Sequence, residues 1–460
     1  MLGLELSDAG FDYSVLSEFR SRLLAGKAEE RLLDKLLEVF KAHKLIKERS
    51  RQRTDSTHIQ AAVRRMNRLE KVGETLRFAL NELARVAPEW LQGHVPADWY
   101  LRYGARIEEY RLPREEAEQQ KLAIQIGKDG YQLLEWVYAE EPQEIRENKA
   151  VEILWRVWVQ EYYQEDEHTS WRDPGNTPPS DLRIDSPYDP EARYSTKRDT
   201  KWVGYKVHFT ETCDPQTPHL IVNVETTPAP TPDDHMAAVV HASLAKQDRL
   251  PAEHLVDKGY TDAQTLLDSQ QDYQVRLVGP VANDPSWQAR AGEGFDKSQF
   301  RVDWKRQVVT CPAGKQSISW HQNANPKNGM VWEAHFSRQD CTPCPFRSQC
   351  THAKVEARVI GLQTQEKHEI LQETRKKQET PEFREEYAAR AGIESTHEQA
   401  IRRCGLRHAR YIGLAKTHLQ HVLTAVAVNL IRIDDWWNGV PLAPTRCSRF
   451  ASLKASALAA

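Results

Sequence analysis

The chain lacks any long apolar run: nothing in its 460 residues approaches the ~20 consecutive apolar positions that span a bilayer. Its opening stretch, MLGLELSDAGFDYS, has acids where a signal peptide carries basic residues. Cysteine is too sparse for a disulfide scaffold, with seven in the whole chain. Membrane-spanning and secreted classes are thereby excluded, and the cytoplasm is the expected compartment. Also missing are a P-loop, a Gly-x-Ser-x-Gly elbow, a His-Glu-x-x-His pair and a dinucleotide fingerprint. Those absences leave chemistry that a few carboxylates can carry.

What is present is an ordinary globular composition, 40% hydrophobic and 28% charged. At this length two to four domains are expected. The net charge of −3 does not announce a polyanion partner, but its distribution is uneven. Lys44 to Lys71 holds nine basic and three acidic residues, and Ile401 to Lys416 five basic and none acidic. Glu135 to Glu167 holds ten acids against three bases. Two basic segments offset by an acidic one suit a protein with one polyanion-facing side, or simply solvated helix faces.

Periodicity divides the chain. Residues 1–50 read as helical, with Leu32, Leu33, Leu36, Leu37, Phe40 and Leu45 at helical spacing. RQRTDSTHIQ is a short polar strand candidate, followed by a helix predicted from about Ala61 to Val86 and more helix over 113–164. After a Pro-, Asp- and Ser-rich loop the period becomes two: Val203, Tyr205, Val207 and Phe209 alternate with Gly204, Lys206, His208 and Thr210. Residues 203–280 then read strand, strand, helix, strand, helix, strand, an α/β core on a mixed sheet. Helices return near 363–390, 394–403 and 416–433, and no internal repeat is present.

Three carboxylates stand out by position, none decisive alone. Asp257 in LVDKGYTD ends a predicted strand, the edge of an α/β sheet where ligands sit, though Asp before Gly is also a common turn. Asp55 in TDSTHI reads equally as a helix N-cap. Tyr387, Arg390 and Glu394 fall on one face of a predicted helix.

In combination they resemble a known family. RTDSTHIQAAVRRMNRLEKVGETLRFAL, DPEARYSTKRDTKWVGYKVHFTET, LVDKGYTDAQTL and AGIESTHEQAIRRCGLRHARYIGLAKTHLQHVLTAVAVNLIRI occur in the order found in bacterial insertion-sequence transposases of the DDE type. The likeness is nearest to the IS1182-like branch of the IS4/IS5-type enzymes and covers about residues 1–435. It implies an RNase H-like fold with Asp55, Asp257 and Glu394 as the catalytic triad and as ligands of two Mg²⁺ ions, with Mn²⁺ as a substitute. Such ions stabilise both the attacking and the leaving oxygen of an in-line phosphodiester displacement. Being hard, they prefer carboxylate oxygen. The family's Tyr-x2-Arg-x3-Glu signature is met by Tyr387, Arg390 and Glu394. Its expected basic residue seven positions past the Glu is here Ile401, with Arg402 the nearest stand-in. The resemblance implies DNA contacts by Tyr387 and Arg390 near the scissile bond. Arg402, Arg403, Arg407, Arg410 and Lys416 would add sequence-independent phosphate contacts.

Cys311, Cys341, Cys344 and Cys350 form a separate cluster, with a Cys-x2-Cys pair at its centre. They read as a structural Zn²⁺ site or as unliganded thiols; Cys213, Cys404 and Cys447 have no partner spacing.

The implied organisation is a partial helical N-terminal unit of DNA-end-binding type at 1–50, a first catalytic strand at 51–60 and a helical insertion at 61–170. An RNase H-like α/β core follows at 195–280, then a Cys-containing insertion at 281–360, a helical part carrying Glu394 at 361–435 and a tail at 436–460. The family usually has more helical sequence before the first strand than residues 1–50 supply. The expected function is metal-dependent cleavage and strand transfer at the ends of an insertion sequence. Its partners would be terminal inverted repeats and target DNA, its active form a homodimer and its location the bacterial nucleoid. The alternatives are a truncated, inactive remnant that only binds DNA and an RNase H-like nuclease.

Overall fold

A strand with almost no apolar residue lies at the middle of the main sheet. The computed structural model describes residues 10, 12–140, 143–165, 168–292, 294–325 and 329–440. Helices α1 (Tyr13–Ala25) and α2 (Arg31–Ala42) precede strand β1 (Gln52–Gln60). A helical layer follows: α3 (Arg68–Val86), α4 (Pro88–His94), α5 (Ala97–Tyr103), α6 (Glu116–Glu140), α7 (Gln143–Arg146) and α8 (Lys149–Glu161), closed by the hairpin β2 (Tyr162–Glu165) and β3 (His168–Trp171). The sheet resumes with β4 (Arg193–Lys197), β5 (Thr200–Thr212) and β6 (Ile221–Pro228), then α9 (Met236–Lys246), β7 (Glu253–Val256), α10 (Ala263–Tyr273) and β8 (Arg276–Val278).

β1 runs antiparallel to β5, placing Asp55 opposite Phe209, and parallel to β7, which runs parallel to β8. β4 and β6 both pair antiparallel with β5. The sheet is thus antiparallel on one side of β1 and parallel on the other. Gln52, Arg53, Thr54, Asp55 and Ser56 are all buried, an unusual load for a central strand, and polar contacts satisfy most of their side-chain groups, Gln52 Oε1 excepted among the described residues. The Thr54 hydroxyl meets the Thr210 hydroxyl and His254 Nε2, each at 2.7 Å, and His254 Nδ1 lies 2.8 Å from His241 Nε2. Burial pushes His241 down to about 4 and holds His254 well below the usual imidazole range, so this chain is neutral.

Beyond the sheet lie α11 (Trp287–Ala291), β9 (Arg301–Asp303), β10 (Val308–Thr310), β11 (Ser319–Asn325), β12 (Gly329–His335), α12 (Arg338–Cys341), α13 (Arg347–Cys350) and β13 (Val359–Leu362). Helices α14 (Gln365–Lys377), α15 (Pro381–Ala388), α16 (Gly392–Cys404) and α17 (Leu414–Trp437) end the described chain. The main core packs α2, α16 and α17 on the sheet through Leu37, Phe40, Val207, Phe209, Ile393, Val422 and Ala425. A second core, with Leu76, Leu133, Leu154 and Trp158, belongs to the helical layer between β1 and β4. A smaller one, with Phe300, Val309, Phe336 and Ile360, unites β9 to β13.

Two expected helices differ from what forms. The helix predicted from Ala61 begins at Arg68, because Asn67 builds a capping box with Glu70: each side chain takes the other's backbone N–H at 2.8 Å. The helical stretch predicted over 113–164 is broken into α6, α7 and α8 and ends where β2 begins at Tyr162. The predicted tail falls mostly at 441–460, outside the described residues, and Cys447 lies there too.

Candidate active site

The folding of β1 and β7 as parallel neighbours brings two of the three carboxylates together. Asp55 is the fourth residue of β1, and Asp257 directly follows β7. Asp55 lies within the strand, its Oδ1 accepting from the Ser56 N–H, whereas Asp257 caps a 3₁₀ turn, its Oδ1 accepting from the Gly259 N–H, both at 2.8 Å. Asp55 is therefore a strand residue, and the N-cap reading of Asp-Ser-Thr falls away.

Tyr387, Arg390 and Glu394 do not share one helix. α15 stops at Ala388, a 3₁₀ turn spans Ala389–Ala391, and α16 starts afresh at Gly392. This turn packs closely on β1. A Cβ on Gly392 would lie 2.2 Å from Arg53 Nη1, so any larger residue there would have to displace the Arg53 guanidinium. The Arg53 guanidinium donates to the Ala389 carbonyl, and it pairs with Glu211 of β5 at 2.7 Å. Glu211 is fully buried and accepts from Thr396 of α16 and from Arg432 of α17, both at 2.6 Å. Burial alone would raise its carboxyl; Arg432 and Arg53 outweigh that and hold it below the usual carboxylate range. This network fixes the start of α16, and with it Glu394, against the strand that carries Asp55.

The turn between the helices places Arg390 among the three acids. Arg390 Nη2 lies 2.6 Å from Asp55 Oδ2 and 3.8 Å from Asp257 Oδ2, and Nη1 lies 3.2 Å from Glu394 Oε1. Its Nε is buried without a hydrogen-bond partner. Burial lifts the Asp55 carboxyl to about 6, against the pull of the Arg390 charge and with a further push from Asp257. Glu394, in the first turn of α16, stays largely exposed at 69%, so it can swing. Tyr387 stacks on Phe383 with ring centroids 5.5 Å apart, and burial raises its hydroxyl to about 12.

Other charged groups near these acids carry no family signature. Asp233, in the 3₁₀ turn ahead of α9, pairs with Lys206 Nζ at 2.7 Å and accepts from Ser56 Oγ at 3.2 Å. Its Oδ2 comes within 3.7 Å of where a Cβ on Gly259 would stand, beside Asp257. Sequence alone makes Thr-Pro-Asp-Asp a helix start and says nothing of this proximity. His208 Nδ1 meets the Tyr260 hydroxyl at 2.6 Å, tying the turn after Asp257 to β5. Burial drives His208 down to about 3.

The basic run is divided. Arg403 and Lys416 are exposed, as is Arg402, which pairs with Glu398. Arg410 is exposed and donates to the Cys404 carbonyl at 3.2 Å. Arg407 is half-buried and donates to Thr57 Oγ1 at 3.1 Å and to the His58 carbonyl at 2.5 Å, so it braces β1.

Cys311, Cys341, Cys344 and Cys350 line one cavity of about 40 Å³, floored by Phe295, Phe300 and Phe336. Burial raises the Cys350 thiol, and the charges of the other three reach it. Among the described residues no group of three or more His, Cys, Asp or Glu side chains is arranged to hold a metal ion. No helix there is long and apolar enough to cross a membrane.

Residues 310–434 match the family model of the transposase DDE domain. The matched stretch begins beside Cys311 and includes Tyr387, Arg390, Glu394 and the basic run; Asp55 and Asp257 lie outside it. No curated protein matches the chain.

Proposed function

We propose that this chain is a DDE transposase of the IS1182-like branch of the IS4/IS5-type enzymes, built on an RNase H-like core. It would cut DNA at the ends of an insertion sequence and join the 3′-ends to target DNA. One observation carries the reading: Asp55, Asp257 and Glu394, far apart in sequence, converge on the single guanidinium of Arg390. Similarity of 310–434 to a transposase DDE domain suggests transposition-related nuclease activity and a polynucleotidyl-transferase class of enzyme, and implies DNA as partner. Such domains generally use divalent metals. The order of the sheet, antiparallel to one side of β1 and parallel to the other, supports the RNase H-like core.

The three acids suit divalent cations. Their oxygens already surround one positive charge, and Mg²⁺ favours such hard donors. Asp55, Asp257 and Glu394 would hold the metal, which supplies activation of the attacking oxygen and relief of charge on the leaving one. Glu394 has the freedom to close inward from its exposed position. Arg390 would then transfer its guanidinium from the carboxylates to the scissile phosphate, where its unpartnered Nε and an Nη fit two phosphate oxygens. Glu211, Arg53 and Arg432 keep α16 in register with β1 throughout. The four cysteines line one cavity without being arranged as a ligand set, so a Zn²⁺ there would need them to draw together, and its role would be structural, since Cys₄ leaves no open coordination position for water. Joining two DNA ends supports a homodimer as the active form.

The test is cleavage of DNA taken from both flanks of the reading frame, with and without Mg²⁺. Metal-dependent nicking at matching inverted repeats, abolished by Asp257→Asn, is expected. Cleavage that ignores the repeats would favour a general nuclease, and binding without cleavage an inactive remnant.

A further inference from the structure

The hairpin of β4 and β5 is the feature the site leaves unexplained. Its register pairs Lys197 with Thr200, so only Arg198 and Asp199 form the loop, with Arg198 at φ 55°. Lys197, Arg198 and Lys201 are exposed, and none has an ion-pair partner among the described residues. Asp199 is the sole acid at the tip. Lys197, Arg198 and Lys201 outnumber Asp199, which leaves an excess of exposed positive charge on a two-residue turn.

The hairpin does not project away from the sheet. Gly204 permits a tight passage over β1: a Cβ there would lie 2.2 Å from the Ile59 carbonyl oxygen. Beyond it Trp202 is buried against His58, with ring centroids 5.2 Å apart, and its indole donates to the Tyr205 carbonyl at 3.2 Å. The tip is thereby folded back toward the carboxylates. The Lys197 charge accordingly acts on Asp55, Asp233, His58 and His208.

At the hairpin's other end is a cavity of about 260 Å³, lined by Arg64, Arg65, Arg68, Lys71 and Arg183 together with Tyr194 of β4. Most of these cations are committed: Arg64 to Glu70, Arg68 and Lys71 to Glu161, Arg183 to Asp185. Arg65 is exposed, and its contact is with the Tyr194 ring, 5.9 Å from the centroid.

We propose that the β4–β5 hairpin grips the DNA backbone, with Lys197, Arg198 and Lys201 at its tip and Arg65 beside its base contacting phosphates of the strand that leads to Asp55. This rests on the proposed function: a nucleic acid led to the carboxylates would pass the tip, whose Lys197 charge already acts on Asp55. The contacts would set position and affinity without reading sequence.

The experiment is a salt titration of binding to a labelled random-sequence duplex, with Ca²⁺ in place of Mg²⁺. It compares the full chain with its Arg65→Ala/Lys197→Ala/Arg198→Ala/Lys201→Ala variant. Each phosphate contact contributes about 0.9 to the slope of log affinity against log salt. The variant is expected to have a slope shallower by roughly 3–4, with affinity at low salt down on the order of 100-fold. Asp199→Lys provides the opposite sign and guards against a misfolded variant: tighter binding and a slope steeper by about 1. An unchanged slope in both variants, with the parent binding normally, overturns the grip and leaves the proposed function standing. A parent that binds no DNA overturns both.

Discussion

Arg390 Nη2 stands 2.6 Å from Asp55 Oδ2, and the same guanidinium reaches Asp257 and Glu394. Three carboxylates at such close quarters repel one another unless a positive charge lies between them. In the metal-free protein that charge is an arginine. Arg390→Gln should therefore separate two properties. Mn²⁺ binding, followed by calorimetry, should tighten about tenfold, because the internal competitor is gone. Strand cleavage should fall on the order of 100-fold with loss of the phosphate contact. Weaker Mn²⁺ binding would contradict a competing role.

Replacing a single acid tests the triad. Asp55→Asn, Asp257→Asn and Glu394→Gln each keep the shape and remove one charged ligand. Each should lower strand cleavage by at least about 10³-fold while duplex affinity stays within a few fold. Normal cleavage by any of the three sinks the assignment of that residue.

Burial gives Asp55 a carboxyl that titrates near 6, above the ~4 of an exposed aspartate. Below that value the group is protonated in the metal-free protein and a cation must displace the proton. Mn²⁺ affinity should be nearly flat above about pH 7 and decline as pH falls through 6. The sign for folding is opposite to that of a paired surface acid: ionised Asp55 costs stability at neutral pH, and the cost disappears as pH drops from 6 toward 4. Asp55→Asn should flatten both profiles.

Glu211 is the contrary case. It is ionised, fully buried and held below the ordinary glutamate range, burial being outweighed by Arg432 and Arg53. Its stabilisation is complete above its unfolded value near 4.5 and is lost as pH falls through the lower folded value. Glu211→Ala leaves two arginines without their partner, one of them buried, and should destabilise the chain by about 3–5 kcal/mol in urea unfolding. A loss under about 1 kcal/mol would mean the network is not what seats α16.

Zinc content is decided by elemental analysis of protein purified without chelator. About one equivalent is expected, dropping sharply in Cys344→Ser. Four thiols that react freely with a thiol reagent in the untreated protein would assign the cluster to unliganded cysteines.

The sequence by itself determined the elements whose signal is local. Alternation in Val203 to Phe209 marks β5, though the structure buries its polar His208 and Thr210 as well, and Leu33, Leu37 and Phe40 mark the buried stripe of α2. Family-like blocks also singled out Asp55, Asp257 and Glu394. Periodicity could not reveal β1's central place, since Gln52 to Ser56 are polar and their burial depends on partners in β5, β7 and the turn ahead of α9. Nor could spacing show the 3₁₀ turn between Tyr387 and Glu394, or that Arg53, more than 300 positions earlier, packs against it. Nothing in the local pattern sets Glu211 or the charged β4–β5 hairpin apart. Local pattern reports what a residue does to its own element. Which charges meet across the sheet is set by strand register and by how α15, α16 and the β4–β5 hairpin fold over it, and only the tertiary structure decides that.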